Sequence, residues 1–422
     1  GSCTTKKNHV CVNGYCECEK GYYGYDCDKI ACPNNCSAEQ NQGTCDQMNG
    51  RCVCMPNFGG EDCSEIISGN KLVWTTLFNA EATASYLPSL ASYLPRMGHS
   101  LEIIQDSLWL FGGYSTLRGQ LSDIFRFNII SSRWEEIKPK KRRDLLPEPR
   151  HFHATTSYGE LIYLYGGLSS NEKVLGDFWC FNTSDQTWTK LPHIHEVMLA
   201  GHTLTAANGI IYLIGGYSSN YGFLDNMFQY DISANKWQPT KIKGFFPSGI
   251  YGHTSVFHKA NDISESGIYV FGGLIYEVDS TMISSNLYGY SFARDSWSRL
   301  TPDPPELKPI PRYFHSAVTT DSYMLVIGGR SNETNNNLIR DILVYVYKCN
   351  RWESLEIDSI GEPPIASLGL ATALHENHLF VFGGFNGFAH GKLSRLTFPK
   401  DLCQLFSHSR IGCLKFLDCT FC

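Results

Sequence analysis

A doublet of glycines recurs six times in this chain, and its interval limits the possible folds more than any other feature. Leu110-Phe111-Gly112-Gly113 holds the first copy, and Gly166-Gly167, Gly215-Gly216, Gly272-Gly273, Gly328-Gly329 and Gly383-Gly384 follow. Successive first glycines stand 54, 49, 57, 56 and 55 residues apart. A period near fifty belongs to propellers and solenoids. Before each doublet runs a short apolar stretch such as Ile211-Tyr212-Leu213-Ile214. After it a polar loop leads to Asp123, Asp177, Asn226, Asn286 or Asp341, and then to an aromatic-rich strand. Trp134, Trp188, Trp237, Trp297 and Trp352 follow further on, and His99, His153, His202, His253 and His315 precede five of the doublets. Each unit reads as four short strands, with the glycines where the second strand ends and the chain must turn sharply. A single such sheet, apolar on both faces, is not stable alone. Six packed face to face around an axis are.

The doublet, the preceding His and the following Trp make residues 70–400 resemble the kelch-repeat family of β-propellers. The expected fold class is therefore all-β, with a six-bladed kelch β-propeller. The sixth repeat has no Trp after Gly383-Gly384, while an orphan Trp74 lies ahead of the first repeat in Lys71-Leu72-Val73-Trp74-Thr75-Thr76-Leu77. That stretch is expected to supply the outer strand of the last blade and so remove the open seam. The sixth repeat also lacks the His, with Ala371-Thr372 read at that position.

Cysteines crowd the two ends, eleven of the 17 falling before residue 64 and four after residue 402. Such density fits disulfide frameworks in an oxidising compartment. Three sequons, at Asn35, Asn182 and Asn332, agree with an extracellular glycoprotein. Charge is mixed, 35 basic against 41 acidic residues, which points to neither nucleic acid nor an anionic membrane. No apolar run approaches the ~20 residues of a membrane span. The chain starts Gly1-Ser2 without an initiator Met, which reads as an excised piece of a longer protein.

Residues 30–66 resemble an EGF-like module through Cys52-Val53-Cys54 and Phe58-Gly59-Gly60-Glu61-Asp62-Cys63. That resemblance implies the pairs Cys32–Cys45, Cys36–Cys52 and Cys54–Cys63. Residues 1–29 resemble a truncated copy, implying Cys3–Cys16 and Cys18–Cys27 and leaving Cys11 without its partner. A zinc reading of these cysteines is disfavoured by their spacing, and Asp28-Lys29-Ile30-Ala31 is a poor match to the calcium-binding pattern. Residues 401–422 resemble the start of a plexin-semaphorin-integrin (PSI) module, with no connectivity assigned to Cys403, Cys413, Cys419 and Cys422. Cys180 and Cys349 fall on opposite blades and are not expected to bond to each other. Cys180 is expected to be a free packed thiol, and Cys349 has a bridge to the tail open to it.

Binding is expected on the face carrying the loops 114–122, 168–176, 217–225, 274–285, 330–340 and 385–392, where rigid scaffolds usually carry function. Tyr114, Tyr217, Tyr221, Arg312 and Arg330 are the candidate partner-binding residues. Lys138-Pro139-Lys140-Lys141-Arg142-Arg143 reads either as a solvated basic loop or as a glycosaminoglycan contact. No catalytic residue, metal or cofactor is expected. The repeated histidines fall on separate blades, and no Ser-His-Asp signature, Gly-rich phosphate loop or His-Glu-x-x-His occurs.

The order of EGF-like, EGF-like, kelch repeats and PSI-like start resembles the ectodomains of the attractin and multiple EGF-like-domains protein 8 family. The resemblance implies a single-pass membrane glycoprotein whose extracellular part binds proteins and supports receptor regulation. A galactose-oxidase-like copper enzyme and a structural spacer are the alternatives. The enzyme needs a Tyr–Cys cross-link that the positions of Cys180 and Cys349 do not favour.

Overall fold

The computed structural model describes every residue except 1–7, 13–14, 19–21, 24–25, 48–49, 56–57, 67–71, 84–87, 141–145, 261–265, 278–279, 303–307, 335, 356–358 and 399–422. The expected PSI-like segment, Cys3 and the end of the basic run therefore lie outside the described residues.

Five four-stranded antiparallel sheets follow one another in strict chain order. Blade one is Ser100–Ile104, Ser107–Ser115, Gly119–Asn128 and Arg133–Ile137. Blade two is Ala154–Tyr158, Leu161–Leu168, Val174–Asn182 and Thr187–Leu191. Blade three is Thr203–Ala207, Ile210–Ile214, Met227–Asp231 and Lys236–Thr240. Blade four is Thr254–His258, Gly267–Phe271, Leu287–Ser291 and Ser296–Leu300. Blade five is Ser316–Thr319, Tyr323–Ile327, Ile342–Val346 and Arg351–Ser354.

The sixth sheet is the one the orphan Trp announces. Its order is Ser359–Ile360, Leu72–Asn79, Lys392–Thr397, His378–Phe382 and Ala371–His375. Leu72–Asn79, which precedes the first repeat, is a member of this sheet. One strand was not anticipated: Ser359–Ile360 runs parallel to Leu72–Val73 as a fifth, outermost member. Trp74 is buried.

Two details correct the sequence reading. In blades one and two the second strand does not end at the doublet. It continues to Ser115 and Leu168, and the register slips between Phe111 and Gly113 and between Tyr165 and Gly167. The glycines are a bulge inside a strand, at φ 60° and 102° for Gly112 and Gly113, a region closed to most side chains. The residue replacing His in the sixth repeat is Leu370, not Ala371. Ala371 pairs with Phe382 as Ser100 pairs with Phe111, which moves the alignment by one.

The core lies between blades. Ile104, Trp109, Phe111 and Ile124 of blade one pack with Ile162, Leu164, Phe181 and Trp188 of blade two in one cluster. The repeated Trp explains itself here. Each lies on the residue just before the doublet of the preceding blade. Trp188 sits 5.2 Å from Phe111, Trp237 5.7 Å from Tyr165, Trp352 4.7 Å from Phe271 and Trp134 5.2 Å from Phe382. Large aromatic area buried in this way is the main apolar contribution at each interface.

In the N-terminal part, Cys32–Cys45, Cys36–Cys52, Cys54–Cys63 and Cys18–Cys27 are disulfides with Cα separations of 5.2–5.6 Å. Cys16 and Cys349 are also disulfide-bonded. Cys180 is a buried free thiol, and burial pushes its pKa up to about 12.

Candidate functional site: the aromatic floor of the loop face

The axial end of the ring is built from the residue that precedes each of the five repeated His, and Leu370 in the sixth repeat. These are Gly98, Phe152, Gly201, Gly252, Phe314 and Gly369. All six adopt left-handed backbone, at φ 59°, 50°, 59°, 66°, 51° and 64°. That conformation turns each amide along the circumference. Gly98 N–H donates to Gly369 O, Phe152 to Gly98, Gly201 to Phe152, Gly252 to Gly201, Phe314 to Gly252 and Gly369 to Phe314, at 2.8–2.9 Å. The result is a closed belt of six backbone hydrogen bonds, one per blade, all running in the same sense.

Glycine suits left-handed backbone, and phenylalanine does not. The two exceptions come from opposite blades, and their rings stack at 4.1 Å with 13° between planes. Phe152 and Phe314 therefore bridge the ring across its axis. A cavity of about 130 Å³ is lined by belt residues and by the five histidines.

Those histidines are structural. His153 Nε2 lies 3.0 Å from Ser100 Oγ, His253 Nε2 3.1 Å from Thr203 Oγ1, and His315 Nε2 2.9 Å from Thr254 Oγ1. Each bond joins a blade to its predecessor. The doublet makes room for them: a Cβ on Gly112 would meet His153 Cε1 at 3.0 Å, and one on Gly113 would meet His99 Cβ at 2.9 Å. Burial carries His99, His202 and His253 down to about 3, helped at His99 by the Arg96 charge. Neutral His99 and His202 pack edge-on against Phe382 and Tyr165 of the preceding blades, at 5.3 and 5.5 Å.

Three residues before the His, three arginines are fully buried. Arg96 pairs with Asp123 at 2.6 Å, Arg150 with Asp177 at 2.6 Å and Arg312 with Asp341 at 2.7 Å. Each also donates to its own blade's first doublet glycine, at 2.8, 3.0 and 3.4 Å. Burial pushes the Asp177 carboxyl up, but hydrogen bonds and charge from Arg150 outweigh it and hold the group below its ordinary value. In blades three and four the charge is absent on both sides: Leu199 with Asn226, and Ile250 with Asn286. Arg312 is accordingly not a contact residue. It is 0% exposed, and its guanidinium is spent on Asp341 and the carbonyls of Ile310 and Gly328.

Around the Phe pair the rings form a continuous floor. Tyr114 lies 5.6 Å from His151, and His151 lies 4.9 Å from Phe152. Beyond Phe314 come Tyr313 at 5.4 Å and Tyr251 at 5.1 Å. Tyr251 in turn stacks on Phe223 at 5.3 Å and touches Tyr217 at 6.1 Å. Of the floor's expected members, Tyr114 is half-buried and Tyr217 sits at its exposed edge. Tyr221 is 66% exposed on the next loop position, and Arg330 is exposed with no ion pair among the described residues. Asn35 and Asn332 are exposed, and Asn182 is half-buried with its side-chain oxygen accepting the Ser184 amide. Lys138 and Lys140 are exposed at the start of the basic run.

Phe152, Phe314, Tyr251, Tyr313, Phe223 and His151 were not anticipated. A signal existed: Phe-His replaces Gly-His in two repeats whose blades face each other.

Exposed apolar side chains also mark this face. Among the described residues, Leu117, Tyr217, Tyr221, Tyr276, Met282 and Phe388 lie exposed on loops between second and third strands. At the opposite end, among the described residues, Ile130 and Tyr158 are the large apolar side chains exposed on the turns.

Comparisons with known proteins agree with this architecture. Multiple epidermal growth factor-like domains protein 8 of Rattus norvegicus is 35% identical over 420 residues, covering 97% of this chain and 15% of the relative. The Homo sapiens protein of that name is 32% identical over 476 residues, covering 97% and 16%. Kelch domain-containing protein 3 of Bos taurus is 24% identical over 309 residues, covering 69% and 64%. The chain thus spans about 15% of the length of the first two relatives. The family profile described as Attractin/LZTR1 beta-propeller matches residues 108–394. With its repeated doublets and a profile match over most of its length, the chain belongs to the Attractin/LZTR1 β-propeller family.

Proposed function

We propose that this chain is a non-catalytic, extracellular protein-binding segment, and that its partner docks on the loop face over the aromatic floor. The observation that carries the reading is the asymmetry of exposed apolar side chains, six on that face's loops against two at the other end. Exposed aromatic clusters over a rigid scaffold are where binding energy concentrates. The five histidines are buried, and three of them are engaged by hydroxyls of the neighbouring blade, which supports binding over catalysis. Disulfides in the N-terminal modules and the exposed sequons at Asn35 and Asn332 support an extracellular setting, as in an adhesion or receptor-regulating ectodomain.

The test is binding of the fluorescently labelled chain to a panel of cell lines. Tyr217→Ala, Tyr221→Ala and Arg330→Glu should each weaken staining at unchanged melting temperature. Staining insensitive to all three but lost on changing Ile130 or Tyr158 would put the partner on the opposite end.

A further inference from the structure

One strand edge on the loop face stands open among the described residues. Uncovered strand edges invite pairing with another chain, and folded proteins blunt them with charge, proline or added cover. The outermost strands of blades one, two, three and five follow that rule. Arg133–Ile137 carries Arg133, Glu135 and Glu136; Thr187–Leu191 carries Lys190; Lys236–Thr240 carries Lys236 and Pro239; Arg351–Ser354 carries Arg351 and Glu353. Leu72–Asn79 has no charge and no proline, and Ser359–Ile360 covers it. Ser296–Leu300 is covered at Trp297, whose N–H donates to Lys243 O and whose carbonyl accepts from Phe245.

The exception stands on the loop face. Segment 274–285, expected to be a plain loop, instead builds a three-stranded sheet: Ile250–Tyr251, Leu274–Glu277 and Ser280–Ile283 in that order. Ser280–Ile283 is its edge. Its sequence, Ser-Thr-Met-Ile, has neither charge nor proline, and among the described residues no strand pairs with its outer side.

The ladder fixes which groups face out. Ser284 N–H donates to Gly273 O, and Tyr276 N–H donates to Gly249 O, on the far side of its strand. With Ile275 paired to Met282 and Glu277 to Ser280, the alternation of an antiparallel ladder turns Met282 and Ser280 inward. It turns the amides and carbonyls of Thr281 and Ile283 outward. Thr281 is exposed and Ile283 half-buried, and beside them Tyr276 and Met282 are 44% and 47% exposed.

We infer that Ser280–Ile283 is a docking edge for an extended segment of a protein partner, which adds as a fourth strand through the outward amides and carbonyls of Thr281 and Ile283. This inference rests on the loop-face reading above and specifies its geometry. Backbone pairing supplies attraction, and the alternating side chains of the added strand meet Tyr276 and Met282.

The probe is a phage-displayed library of random twelve-residue peptides selected on the whole chain. The expected binders have alternating apolar residues. Thr281→Pro deletes one outward N–H without touching the inward donors of Met282 and Ser280, and should weaken those peptides at least tenfold. Thr281→Val keeps the N–H and should bind as the parent does. In the complex, exchange of the Thr281 and Ile283 amides should slow at least tenfold. Should Thr281→Pro lower the melting temperature, N-methylation of the peptide at alternate amides gives the same test on the parent protein, with tenfold losses at every second position. Equal binding by Thr281→Pro, unchanged exchange at both amides, indifference to N-methylation or a library without binders would each overturn the docking edge. Peptides lost on Tyr217→Ala but kept on Thr281→Pro would overturn the edge and leave the loop face standing.

Discussion

The buried Arg–Asp pairs carry their own control experiment, because blades three and four of the same ring carry neither charge. Replacing Arg312 by Leu copies blade three, where Leu199 holds that place, but leaves the Asp341 carboxylate without its counter-charge. Removing one partner of a buried pair typically costs about 3–5 kcal/mol. The Asp341 side chain keeps 25% of its exposure, so water screens part of the charge and the lower end applies, roughly 2–3 kcal/mol. For a domain of this size that is a fall in melting temperature of roughly 3–4 °C. Adding Asp341→Asn completes the neutral arrangement of blade three, Leu199 with Asn226. The double variant should recover to within about 1 kcal/mol of the parent, since well-packed apolar replacements of buried pairs are close to neutral. Thermal unfolding followed by near-ultraviolet circular dichroism measures all three, together with Asp341→Asn alone. A double variant no more stable than Arg312→Leu would refute the reasoning. The arginine's donors to the Ile310 and Gly328 carbonyls would then be the important contribution, not the compensation of charge.

Stability should fall on acidification. The enclosed His99, His202 and His253 have native pKa values of about 3 against an ordinary 6.5, so below pH 6.5 the unfolded chain takes up protons that the native ring refuses. The stability is complete above pH 6.5 and is lost as pH falls toward 3, each His contributing about 2 kcal/mol of destabilisation by pH 5. Urea titrations at pH 7.5 and 5 check this, and equal midpoints would contradict it. Cys180, with its thiol pushed to about 12, should resist iodoacetamide at pH 8 in the native protein and react promptly in urea, as read by mass spectrometry. Phe152→Gly relieves left-handed strain of about 1–2 kcal/mol while losing a stack of about 0.5–1.5 kcal/mol. Its melting temperature should shift by only a few degrees, whereas Gly201→Ala, which places a Cβ against the Tyr251 ring, should lower it clearly more.

What could be read from the residues was whatever repeats with a side-chain signature. Six doublets announced six sheets, and Trp74 announced the strand that completes the sixth, because a bulky aromatic missing from one repeat and surplus before another has one economical home. Arg312 was misread because a lone arginine looks like surface. Only its offset from His315, shared with Arg96 and Arg150, and the Asp that accompanies each of them, distinguish it. The belt left almost no trace, since backbone amides bear no residue type; the two Phe in place of Gly were its single mark. Leu370 was displaced by one because a strand without its His offers no anchor for alignment. Segment 274–285 read as loop because four-residue strands have too few residues to show a period.

The strand that completes the sixth blade has a temporal consequence. Leu72–Asn79 leaves the ribosome about 300 residues before Lys392–Thr397, the strand it pairs with. At roughly 5–20 residues per second this interval lasts about 15–60 seconds. Throughout it, Leu72-Val73-Trp74-Thr75-Thr76-Leu77-Phe78 is synthesised, apolar, uncharged and without its mate. Five blades can assemble in order as they emerge, yet the circle stays open until nearly the last residue of the propeller arrives. A nascent chain in that state offers an extraneous strand the same pairing that its own C-terminal end will later take. Expression of this molecule is therefore expected to depend on chaperones that shield an early segment. Stop codons placed just before residue 392 should do more harm than their small loss of mass suggests.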